Sequence, residues 1–257
     1  MYKDVVYKKG TSLTEVWCEV FNELSQPGIT GITNLSISIL IDPQYQLENL
    51  QTRNILDEKL LEKGYFKCRT TANTIFPPLW NPNRSRDLFY SRYLKLLPTL
   101  KRLSTQNHYG LYFERLIQYS PKISDCNQSV NQLEHIINTF KIGNHRQAAL
   151  QAAIFDPTRD HTNQRQRGFP CLQHVFFSHN GDSRLTVTGI YATQYIFDRA
   201  YGNYLGLYYL GKFMAKEMGL TLANVCCFSS RAELGHINKH EAIELLHKLN
   251  NAFNINN

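Results

Sequence analysis

The chain has 257 residues, 42% of them hydrophobic, and its 28 basic against 21 acidic residues give a net charge of +7. This length can bury one sizeable core, predicting a single domain over residues 1–257, and the positive balance favours an anionic partner. No run of about eighteen uncharged apolar residues exists and the opening MYKDVVYKKG lacks a signal-peptide core, which excludes a membrane partner and predicts a cytoplasmic protein.

The first predicted element is a helix from Ser12 to Leu24. Ser12-Leu13-Thr14-Glu15 reads as a capping box, and Leu13, Val16, Trp17, Val20, Phe21 and Leu24 share one stripe. From Asn34 to Ile41, Leu35, Ile37, Ile39 and Ile41 alternate as in a strand. Leu56 to Lys63 is predicted helical and closed by Gly64, and Ala72 to Pro82, with three prolines, is predicted loop. Arg84 to Leu103 is predicted helical with a break at Pro98.

A further helix starts in Ser129-Val130-Asn131-Gln132 and stops at Gly143. Gln147 to Phe155 is a predicted strand, and His161 to Gly168 a polar loop. Leu172 to Phe177 and Arg184 to Tyr191 form a predicted hairpin around Asn180-Gly181. A long apolar helix runs from near Gly202 to Gly219, Cys226-Cys227 reads as part of a strand, and a last helix spans Asn238 to Phe253. The pattern predicts a mixed α/β fold.

Six cysteines show no CxxC or paired metal spacing and the nine histidines no HExxH, so free thiols and no metal site are expected. Two basic patches stand out. Arg84 to Arg102 interleaves Arg84, Arg86, Arg92, Lys95, Lys101 and Arg102 with Phe89, Tyr90 and Tyr93, and most simply forms a solvated helix face. Lys141 to Arg167 places Arg146, Arg165 and Arg167 ahead of Cys171, where a phosphate-binding arginine would also lower a thiol pKa.

The run from Gly168 to Gly235, with Pro170-Cys171 opening a hairpin and Asn203 in the helix that follows, resembles the core of the thymidylate synthase and pyrimidine hydroxymethylase superfamily. The helix Ser12 to Leu24, the strand Asn34 to Ile41 and the pair Tyr109-Gly110 follow the family's order more weakly. The resemblance implies a thymidylate synthase-like mixed sheet flanked by helices. It implies a homodimer and transfer of a methyl or hydroxymethyl group to C5 of a pyrimidine nucleotide or nucleoside. Cys171 would be the nucleophile, Asn203 would read the base, Thr193 with Arg146, Arg165 or Arg167 would hold a phosphate, and Glu233 would contact substrate.

The departures are specific. The family's phosphate arginine falls at Ala192, its folate aspartate at Tyr195, the histidine after the cysteine at Leu172, and the sugar-binding histidine and tyrosine at Glu233 and Gly235. The amino-terminal glutamate that assists proton transfer has no clear counterpart, the nearest position lying around Asn73. The resemblance implies 5,10-methylenetetrahydrofolate as donor, whereas the polar tail Asn254 to Asn257 has no counterpart to the segment that closes over folate. The alternative is a non-catalytic nucleotide- or nucleic-acid-binding protein on the same fold, favoured by the missing partners and the basic-aromatic helix.

Overall fold

The computed structural model describes residues 1–120, 129–163, 170–181 and 183–254. Ser12 caps the first helix, α1 (Leu13–Ser25), by accepting the Glu15 N–H at 3.3 Å, and the apolar stripe read from the sequence is fully buried. Two short strands, β1 (Tyr2–Lys3) and β2 (Val6–Gly10), precede it, and β3 (Gly31–Leu40) follows.

Helix α2 (Leu50–Glu62) begins six residues earlier than its periodicity announces, because Asn49 caps it by accepting the Thr52 N–H at 3.0 Å. The predicted loop from Ala72 is corrected by α3 (Cys68–Ile75), which has no side-chain cap of its own. Its first N–H, from Cys68, is taken instead by Oδ1 of Asp57 in α2 at 2.7 Å. That cap is tertiary. Helix α4 (Arg86–Leu103) continues through Pro98 instead of breaking, with the proline exposed on the outer side.

The aromatic rings of α4 turn inward. Phe89, Tyr90 and Tyr93 are buried, and Phe89 and Tyr93 pack on Phe113 at 5.3 and 4.8 Å between centroids. Arg86 is held by Glu134 and Glu217. These rings are therefore not available for stacking on bases.

Helices α5 (Tyr112–Ile117) and α6 (Gln132–Ile142) come next; Asn131 caps α6, so the helix starts three residues later than Ser129. The predicted strand Gln147 to Phe155 resolves into a 3-10 turn, Gln147–Ala149, and a three-residue strand β4 (Gln151–Ala153), followed by α7 (Pro157–Asp160). The hairpin is formed by β5 (Leu172–His179) and β6 (Arg184–Tyr195). Then come α8 (Tyr201–Met218), β7 (Thr221–Glu233) and α9 (Lys239–Asn254).

The strands form one mixed sheet in the order β1-β3-β7-β6-β5-β4, with β2 also on β3. Strands β6 and β7 are parallel and joined through α8, the crossover that parallel neighbours require. On one face Leu35, Ile37, Val187, Tyr191, Val225 and Cys227 are buried, while Ser36, Ser38, Thr188, Ile190, Cys226 and Phe228 between them stay half-exposed. Helix α8 packs on the buried face and on α3. A Cβ at Gly202 would stand 2.5 Å from the Cys68 carbonyl oxygen and one at Gly206 2.9 Å from that of Ala72, so only glycine lets α3 come this close.

Among the described residues no helix is long and apolar enough to cross a membrane, and no group of three or more His, Cys, Asp or Glu side chains is placed to hold a metal ion.

Candidate active site

A cleft of about 300 Å³ opens at the carboxyl ends of the parallel strands β6 and β7, where open α/β sheets commonly take ligands. Cys171, Thr193 and Asn203, three residues singled out from the sequence, line it together. Gly110 and Tyr112 form one wall and Thr71 and Thr74 of α3 another.

Cys171 stands one residue before β5, with its carbonyl accepting the Ala192 N–H at 2.9 Å. Burial pushes its thiol above the ordinary value, the charge of Arg199 works against this, and Asp198 adds to the rise. The lowered pKa expected from the sequence is thus corrected: desolvation outweighs the nearby cation. Burial pushes Cys18 and Cys227 up to about 12. The five described cysteines are free thiols, and Cys126 lies outside the described residues.

Asn203 is the third residue of α8 and 5% exposed. It is not the helix cap, a place held by Ala200 after a π-helical turn, Ile196–Ala200. Among the described residues its side-chain amide makes no hydrogen bond. The amide lines the open cleft, so it is free to pair with a group held there.

The π-helical turn contributes what the sequence reading missed. Such turns are frequent at functional sites. Trp17 Nε1 anchors this one by donating to the Ile196 carbonyl at 2.8 Å, and the Phe197 N–H donates to Leu234 at 2.9 Å. Asp198 and Arg199 thereby reach the cleft, the arginine seven residues beyond the Ala192 position where a cation is absent. The only signal in the sequence was an Asp-Arg pair shortly before an apolar helix. His236, in the loop after β7, also lines the cleft.

The remaining sequence candidates fall elsewhere. Arg146 is exposed and precedes Gln147, whose Nε2 donates to the carbonyl of His179 at 3.1 Å. His179 ends the strand that follows Cys171, and eight residues at about 3.3 Å each put Arg146 on the order of 25 Å from the thiol. Arg146 is therefore not a phosphate ligand of this cleft. Glu233 does not line the cleft either; it accepts from Tyr2 at 2.8 Å and from Arg231 Nε at 2.6 Å on the surface. Arg165 and Arg167 lie outside the described residues.

Tyr195 lines the cleft at the position where the resemblance places the folate aspartate. No protein-family model matches the chain, and no curated protein matches it in sequence.

Proposed function

We propose that the cleft binds a pyrimidine mononucleotide and that Cys171 adds to C6 of its ring, the step that activates C5 for substitution by a one-carbon electrophile. The observation that carries this reading is the amide of Asn203, which makes no hydrogen bond to the described residues and lines the same cleft as the thiol. An amide donates and accepts side by side, and a pyrimidine edge offers an adjacent donor and acceptor. Covalent addition divides a difficult substitution into two easier steps. Thr193 offers a hydroxyl, and Arg199, 36% exposed at its side chain, supplies the cation for a phosphate and for the thiolate.

The test is covalent capture. Incubation with 5-fluorouridine and 5-fluorocytidine monophosphates, in ribo and deoxy forms, should add one nucleotide mass at Cys171 and none in Cys171→Ser. Because burial raises the thiol pKa, capture should quicken as pH rises through the neutral range. Nucleotide binding without capture at any pH would favour the second reading, a non-catalytic nucleotide-binding protein, for which the raised thiol pKa is the supporting observation.

The half-exposed face of the sheet, with Ile190 and Phe228 among its hydroxyl side chains, fits a homodimer packed sheet to sheet. Sedimentation equilibrium should give twice the chain mass, and Phe228→Asp should return it to one. A monomer at every concentration would remove the dimer.

A further inference from the structure

We propose that His236, oriented by the buried carboxylate of Asp198, carries the proton to and from C5 of the pyrimidine when Cys171 adds at C6; this rests on the function proposed above. The two residues form a built pair. The Asp198 side chain is 1% exposed, and its Oδ1 accepts the backbone N–H of His236 at 3.2 Å and faces His236 Nδ1 at 3.3 Å. The loop is shaped for that contact. Gly235 has φ +94°, and a Cβ on it would lie 2.3 Å from Asp198 Oδ1 and 3.1 Å from Cβ of Tyr195, so no other residue leaves the carboxylate where it is.

The ring is positioned from two further sides. Tyr65 stacks on it at 5.3 Å between centroids with 29° between planes, and Tyr195 meets it edge-on at 5.1 Å. Yet the imidazole is 53% exposed at the cleft, and among the described residues Nε2 makes no hydrogen bond. A carboxylate facing Nδ1 keeps the proton of neutral imidazole on that nitrogen and leaves Nε2 as the acceptor. Among the described residues Oδ2 of Asp198 has no hydrogen-bond partner, and it lies 3.6 Å from Arg199 Nε, so the carboxylate has capacity to stabilise the imidazolium. A nucleophile, an oriented base and a cation thus surround one cleft whose sequence lacks the family's proton-transfer glutamate.

The step balances without a further reactant. The thiol proton passes through water to Nε2, the sulfur bonds C6, and the electron pair of the C5–C6 double bond takes that proton from Nε2, which leaves the imidazole neutral again. The sum is addition of one S–H across the double bond. Reversal breaks C5–H and C6–S, returning the proton to Nε2 and the electron pair to the ring.

The experiment times capture of the 5-fluoropyrimidine monophosphates by intact mass and by loss of the ring's ultraviolet absorbance. His236→Gln and His236→Phe should both slow capture by about 10²–10⁴ with nucleotide affinity unchanged, the usual range for a general acid or base. The second substitution keeps an aromatic ring between Tyr65 and Tyr195. Asp198→Asn should slow it as well, and added imidazole should restore part of the rate to His236→Gln, which a packing role would not allow. Capture at the wild-type rate in both His236 variants, with the adduct mapped to Cys171, overturns this inference and leaves the proposed function standing. Absence of capture in the wild-type protein overturns both.

Discussion

Asn203→Asp should change the preference between uridine and cytidine monophosphates by one to two orders of magnitude. The substitution removes an amide donor from a group that is 5% exposed and unpartnered within the protein among the described residues. Leaving one buried polar group of the ligand unpaired costs roughly 1–3 kcal/mol, which at about 1.4 kcal/mol per decade gives that range. The carboxylate repels the O4 acceptor of uracil and accepts from the amino group of cytosine. Titration of both nucleotides against both proteins reads the ratio. An unchanged ratio with intact far-ultraviolet dichroism would withdraw the base-reading role.

Arg115→Met should cost about 3–5 kcal/mol, the usual loss when one partner of a buried ion pair is removed. Arg115 and Asp160 are paired at 2.5 and 2.7 Å with side chains only 4% and 5% exposed, and Arg115 also donates to the carbonyls of Ile154 and Tyr109. Burial alone would raise the Asp160 carboxyl, but the hydrogen bonds from Arg115 and the Asp156 N–H, with the charges of Arg115 and Arg159, hold it below the usual range. A depressed carboxylate stabilises the fold above its unfolded pKa, about 3.9, and that contribution is lost as pH falls through the lower folded value. The variant's deficit should therefore be largest near neutrality and shrink in acid, where the orphaned carboxyl is protonated. Urea unfolding at pH 7 and pH 4 measures both, and a deficit under about 1 kcal/mol at pH 7 would show that the pair is replaceable. The site feels the same change, because Arg115 holds Tyr109 next to Gly110 in the cleft wall.

Much of the architecture was legible in the chain. The stripe Leu13 to Leu24, the alternation Leu35 to Ile39, the hairpin around Asn180-Gly181 and the helix closed by Gly219 are local patterns, set by burial on one face and by residues suited to caps and turns. From them the mixed α/β class followed; the grouping of Cys171, Thr193 and Asn203 came from the family resemblance, and the three line one cleft. The corrections share a different cause. Helix α3 is capped by Asp57 from another helix and seated against Gly202 and Gly206, so nothing in its own eight residues announces it. Arg146 lies near Cys171 in sequence and at the opposite end of β5 in space, because the chain returns along the sheet before reaching the thiol. The rise in the thiol's pKa comes from burial, a property no spacing reveals. Asp198 and His236 are 38 positions apart and meet only because β6 and β7 end side by side, with a glycine at 235 leaving room for the carboxylate. The sequence by itself determined the class of fold and the hairpin that follows Cys171; the tertiary structure brought Asp198, Arg199 and His236 to the same cleft, since desolvation and long-range pairing depend on distances that only the folded chain defines.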